Sequence, residues 1–309
     1  MEHGTILYDR YLNIYQVIGI PHPKDRIPVI PKYTPCSDGK WSLNGLRYCR
    51  VIKEYGPSGL KDALSKSKLS QEYDPLYGSL MPYLMLSEVL RAIRPRDALR
   101  NLVTGNYMKN ESLLLDTINI INIIREETGI GLEDLGLTGS IAAGIAVSDF
   151  SDIDVVVYGA NNSTLLYDFF KSNLALTMRF KATYGGVSVE NAPRYSWRRG
   201  MVKGINRPVS WVGIPRNGEQ CEVLKHYFSI DPPAMEWRGY IVVEGGQPTA
   251  LIYPPCAATR DGTYIVSFEY NLASLLYEGG VFRINGVMGE RGITIYLGLR
   301  EYPGYIKVL

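Results

Sequence analysis

One stretch of about 25 residues constrains this chain more than any other. A short apolar run, Leu135-Gly136-Leu137-Thr138, reaches Gly139-Ser140. The small apolar segment Ile141 to Val147 follows, and then the β-branched run Asp152 to Tyr158. This order predicts strand, turn, helix and strand, the close packing of an α/β core. Upstream, Leu113, Leu114, Ile118, Ile121, Ile123 and Ile124 recur at helical spacing from Glu111 until Gly129, a helix of about five turns that feeds the motif.

The chemistry of the stretch lies in its acids. Asp152 and Asp154 open the second strand, and because side chains alternate across a strand both project from one face, roughly 7 Å apart along the chain. Two carboxylates on one face suit a hard divalent cation, which takes one or two carboxylates and completes its shell with substrate phosphates. Gly139-Ser140 offers the phosphate partner: a glycine turn at a helix start presents free N–H groups and the helix dipole to an anion, with the Ser140 hydroxyl as a further donor.

Eleven residues separate Ser140 from Asp152. With Leu137-Thr138-Gly139-Ser140 and Asp152-Ile153-Asp154-Val155-Val156-Val157, the region resembles the DNA polymerase beta nucleotidyltransferase superfamily over roughly residues 111–231. Further matches at residues 26–33, 151–159 and 250–255 make nearly all of the chain similar to a family of predicted archaeal nucleotidyltransferases. The resemblance implies an α+β fold: a polymerase beta-like core of mixed sheet and helices at 111–231, flanked by an N-terminal α+β unit (1–110) and a β-rich C-terminal unit (232–309). It implies transfer of a nucleoside monophosphate from an NTP to an acceptor hydroxyl, with release of pyrophosphate. Two Mg²⁺ ions per site, or Mn²⁺ in their place, would serve Asp152, Asp154 and a third carboxylate on a neighbouring strand. Glu222 is the candidate for that third ligand and Asp231 the reserve. Gly139 and Ser140 would hold the β and γ phosphates.

Glu222 is chosen because Asn217-Gly218 reads as a hairpin turn, which would pair Val209 to Ile214 antiparallel with Gln220 to Phe228. Between Arg179 and Arg207 stand seven basic residues and one acid, Glu190, a local charge of +6. Arg198 and Lys203 are its candidates for binding phosphate, and Tyr195 and Trp197 interleave with the charges as in segments that bind single-stranded nucleic acid. A catalytically silent nucleotide- or RNA-binding regulator is the alternative.

The flanks read differently. Prolines 21, 23, 28 and 31 confine Arg26 to Tyr33 to an edge strand or extended arm. Pro57 starts a short helix to about Lys68, Met85 to Ile93 reads as an amphipathic helix ended by Pro95, and another helix begins near Asp97. The last seventy residues are β-like runs broken by Gly and Pro, with a second turn signal at Asn285-Gly286. Flanks of this size favour RNA or protein over a small molecule as the acceptor.

Composition excludes other classes. A net charge of +2 does not mark a nucleic-acid coat, and no apolar run approaches the roughly 18 residues of a membrane span. The opening residues lack an export signal, so a cytoplasmic location without membrane partners is expected. Cys36, Cys49, Cys221 and Cys256 form no C-x-x-C pair and read as small buried hydrophobes. With three histidines there is little for a zinc enzyme or a histidine triad, and P-loop, dinucleotide and nucleophile-elbow motifs are missing.

Overall fold

The computed structural model describes residues 1–53, 57–67, 69–105, 111–179, 181, 183–184, 186–193, 195–216 and 218–309. Among them the strands form three mostly antiparallel sheets.

The first sheet holds β1 (Ile6–Asp9), β2 (Ile14–Val17), β3 (Arg26–Pro35), β4 (Trp41–Leu43), β5 (Leu46–Arg50), β6 (Ser70–Asp74), β7 (Ser79–Met85) and β8 (Val89–Ile93), with helix α1 (Pro57–Ser65) between β5 and β6. Strand β3 is interior rather than an edge, pairing with β2, β5 and β7. Its prolines are tolerated because its second neighbour changes along its length: β7 covers Arg26 to Pro28 and β5 begins at Tyr33. The segment expected as a helix at 85–93 is a single 3-10 turn followed by β8, whose Ile6↔Ile93 pairing with β1 outweighs its helical spacing.

Helices α2 (Pro95–Val103) and α3 (Glu111–Thr128) lead into the second sheet, ordered β11-β14-β15-β10-β9. Its strands are β9 (Leu135–Leu137), β10 (Ile153–Tyr158), β11 (Leu174–Arg179), β14 (Tyr195–Val202) and β15 (Pro208–Ile214). Helix α4 (Gly139–Ala143) joins β9 to β10, and α5 (Ala160–Asn173) joins β10 to β11. In α3 the buried residues Leu113, Ile120, Ile121 and Ile124 keep a one-face spacing, and truncating one such side chain to alanine costs about 2–5 kcal/mol.

The third sheet contains β12 (Thr183–Tyr184), β13 (Val187–Glu190), β16 (Pro233–Val243), β17 (Cys256–Ala258), β18 (Tyr264–Ser267), β19 (Gly280–Gly289), β20 (Thr294–Leu297) and β21 (Tyr305–Val308), with helix α6 (Ala273–Glu278) before β19. Strand β13 pairs with β21, so the segment 111–231 lends a hairpin to the C-terminal sheet. Asn285-Gly286 lies inside β19 opposite Arg238 and Trp237 and makes no turn.

The expected polymerase beta-like α+β core is therefore corrected. The chain is sheet-rich, 38% strand against 27% helix, and is not a helix-packed core over a mixed sheet. The helix between the two motif strands has only five residues, too few to cover a sheet face, and the N-terminal unit is built around a sheet. The cysteines are corrected too. They form two disulfides, Cys36–Cys49 and Cys221–Cys256, because folding brings together residues that lie 13 and 35 positions apart.

Candidate phosphate and metal site

Strand β10 pairs antiparallel with β9 and parallel with β15, in the register Asp154↔Ser210. Strand β14 continues the row with Arg199↔Ser210. Since cross-strand partners share a face, Arg199, Ser210 and Asp154 stand side by side, with Asp152 one pleat away. The Ser210 hydroxyl donates to Asp154 Oδ1 at 2.5 Å, and Arg199 Nη2 donates to Asp152 Oδ2 at 2.6 Å. Arg199 Nε has no partner among the described residues.

At the end of β9, Thr138 donates its hydroxyl to the carbonyl of Gly4 at 2.6 Å. Gly139 then takes φ +67°, the left-handed region, and a Cβ built on it would stand 2.2 Å from Asp154 Oδ2. Only glycine leaves room for the carboxylate against the turn. Ser140 is buried, with its hydroxyl 3.4 Å from that of Ser151. Arg207 bonds Asp116 at 2.6 Å and the carbonyls of Ser148 and Ser151 at 2.8 and 3.3 Å, clamping the loop that delivers Asp152. Arg207 of the basic segment thus serves as a loop clamp.

The N-terminal sheet closes the site. The Tyr8 hydroxyl donates to the Ala143 carbonyl at the end of α4. Lys32 on β3 is only 3% exposed and lies within electrostatic reach of Asp154 and Asp152. Burial lowers its ammonium to about 8, the two aspartates oppose that shift, and Arg50 adds to it. Asp152 moves the other way. Burial first and Asp154 second raise its carboxyl above the ordinary range, while Arg199 and Arg50 pull it down. Burial, with Asp154 and Asp152 adding, pushes the Tyr33 hydroxyl up to about 12. Three cations, Lys32, Arg50 and Arg199, therefore surround two carboxylates.

The structure brings Gly139, Ser140, Asp152 and Asp154 together and leaves the other expected site residues elsewhere. Glu222 belongs to a 3-10 turn, not to a strand, is 71% exposed and pairs with Lys225. The expected hairpin does not form: β15 takes β14 and β10 as its neighbours, and 3-10 turns occupy Glu222–Leu224 and Tyr227–Ser229. Asn217 itself lies outside the described residues. Ser210, not an acid, is the register partner of Asp154 on β15.

Asp231 is fully buried in a structural role, accepting from the backbone N–H groups of Arg291 and Ile293 at 2.8 and 3.1 Å. Arg198 is turned away from the carboxylates, since successive strand residues face opposite sides. It bonds Asn271 at 2.8 Å and the Trp211 carbonyl at 3.3 Å, over the Tyr270 ring. Lys203 is exposed in the turn between β14 and β15, and Arg194 lies outside the described residues. Sequence reasoning missed Arg199, Ser210, Lys32 and Arg50. Alternation next to Arg198 offered a signal for Arg199; for Lys32, 120 residues before Asp152, nothing local did.

Among the described residues, the one grouping of three Cys, His, Asp or Glu side chains tight enough for an ion is Cys36, Asp38 and Cys49, and its cysteines are already joined as a disulfide. Asp152 and Asp154 offer two carboxylates on one face, each already bonded, to Arg199 and to Ser210. No helix among the described residues is long and apolar enough to cross a membrane. Compared with known proteins, the chain matches no family model, no curated protein and no solved structure.

Proposed function

We propose that the Asp152–Asp154 site binds a nucleoside triphosphate with Mg²⁺ and transfers its nucleoside monophosphate to an acceptor hydroxyl, releasing pyrophosphate. The observation that carries this reading is the seat of Asp154 on Gly139. The second carboxylate and the glycine turn share one spot, where cation and phosphate must meet. Mg²⁺ held there by both aspartates supplies charge neutralisation of the triphosphate and activation of the acceptor hydroxyl.

The chain's own residues do the rest. The Gly139-Ser140 turn takes the terminal phosphates on its N–H groups, a role for which the left-handed glycine is suited. Arg199, with an uncommitted Nε, and buried Lys32 meet the charge that develops on the transferred phosphoryl oxygens. Ser210 orients Asp154 through its hydroxyl. Asp152 and Asp154 would hold Mg²⁺, or Mn²⁺ in its place, without Glu222, which is exposed and paired with Lys225. The flanking sheets favour RNA or a protein as acceptor.

That same serine, with the ion pair from Arg199 to Asp152, supports a second reading, a nucleotide-binding regulator without turnover. One experiment separates the two. Mg²⁺-dependent binding of each of the four NTPs is measured beside pyrophosphate release and transfer of an α-phosphate label to RNA and to protein. Binding with release, both lost in Asp152→Ala/Asp154→Ala, supports the transferase. Binding without release supports the regulator, and binding that survives the double variant refutes the site. Residence in the cytoplasm has to accommodate two disulfides, which persist inside cells chiefly in hyperthermophiles.

A further inference from the structure

We propose that Trp41 and Phe150 form a stacking shelf for the base of the nucleotide held at Asp152 and Asp154. Trp41 comes from β4 of the N-terminal sheet, Phe150 from the loop two residues before Asp152, and their ring centroids lie 5.3 Å apart at 87°. On the inner side, the Tyr33 ring lies 5.1 Å from Trp41, and its hydroxyl feels the charges of Asp154 and Asp152. The three rings thus run from the interior, where Tyr33 is buried, to the surface, where Phe150 is 49% exposed.

Leaving half a phenylalanine in water next to a charged site forgoes apolar burial, which a planar base would recover. Both supports are stiff. Arg207 clamps the carbonyls of Ser148 and Ser151 on either side of Phe150. The Cys36–Cys49 disulfide ties the chain leaving β3, just before the β4–β5 hairpin that carries Trp41, to β5. A rigid aromatic pair loses little entropy when a base stacks on it. Stacking is tolerant of base identity and stronger for the larger rings, so the shelf favours purine over pyrimidine nucleotides.

The shelf rests on the nucleotide reading of the carboxylate site, and the test keeps the two apart. Dissociation constants for Mg²⁺–ATP and Mg²⁺–tripolyphosphate, which has no base, are measured for the protein and for Trp41→Leu and Phe150→Leu. Each substitution is expected to weaken ATP about ten-fold and leave tripolyphosphate unchanged. Phe150→Leu, at an exposed position, guards against a folding defect in Trp41→Leu, and a melting curve checks both. An unchanged ATP affinity, or equal losses for the two ligands, overturns the shelf while the phosphate site stands. If the unsubstituted protein binds neither ligand, the nucleotide reading fails and the shelf falls with it.

Discussion

Gly139→Ala probes the centre of the site. The new Cβ would stand 2.2 Å from Asp154 Oδ2 at a backbone φ of +67°. The left-handed conformation alone costs an L-residue roughly 1–2 kcal/mol. The methyl group must also evict the carboxylate, breaking the charge-assisted bond from Ser210, worth about 1.5–3 kcal/mol. The two together come to about 2.5–5 kcal/mol. Gly129→Ala is the control: its φ is +73° and a Cβ there meets nothing within 4 Å, so it incurs the backbone cost of roughly 1–2 kcal/mol alone. Urea unfolding of both variants isolates the clash as a difference of about 2 kcal/mol, and calorimetric titration with Mg²⁺–ATP should show binding lost in Gly139→Ala and kept in Gly129→Ala. Equal destabilisation of the two variants, with nucleotide binding intact in both, would refute the reasoning that Asp154 and the turn share one spot.

Because the Asp152 carboxyl is raised by burial and Asp154, the folded state keeps its proton to higher pH than the unfolded chain. The free protein therefore gains stability as pH falls through that window, while Mg²⁺–nucleotide binding, which needs the ionised carboxylate, is lost on acidification at a pH already above the ordinary aspartate range of about 4. Arg199→Ala should move the fading point further up, and a midpoint that stays put in a pH series of dissociation constants counts against the ion pair. Lys32, lowered to about 8, carries the opposite stability signature: its penalty is present below pH 8 and relaxes as pH climbs from there toward the unfolded value of roughly 10.4, whereas triphosphate binding should weaken above pH 8. Nucleotide binding that is flat across that range would remove Lys32 from the phosphate contacts. Glu222→Ala should leave stability and binding within error, while Asp231→Ala should cost about 3 kcal/mol with binding intact, since it strands buried donors and Arg291. A loss of Mg²⁺ binding in Glu222→Ala would restore it as a ligand. From loop length, cutting Cys36–Cys49 should cost about 3 kcal/mol and Cys221–Cys256 about 4, measured by unfolding with and without reductant. Native protein that reacts with a thiol reagent before reduction would contradict both bridges.

Local signals located the strand, turn and strand that bring Gly139 against Asp154. The apolar run to Leu137, the glycine at 139 and the alternation of Asp152 and Asp154 each depend on neighbours a few residues away, and the structure places a strand, a left-handed turn and a second strand there. The long helix at 111–128 was legible for the same reason. Where a decision required distant partners, local patterns misled. Met85 to Ile93 has helical spacing, yet β8 extends because β1 is beside it. Asn285-Gly286 has turn chemistry, yet it stays in β19 between β16 and β21. Glu222 was placed on a strand by a hairpin that never forms, since β10 and β14 already occupy both edges of β15.

The sequence by itself determined the two aspartates, the glycine turn and the helix before them, because backbone propensity and side-chain period act over a few residues. Tertiary structure alone decided that three sheets make the fold, that cysteines 13 and 35 positions apart are bonded, and that Lys32, Arg50, Arg199 and Ser210 surround the carboxylates. Strand pairing and the burial of charge join residues more than a hundred positions apart, and no local pattern encodes which of them will meet.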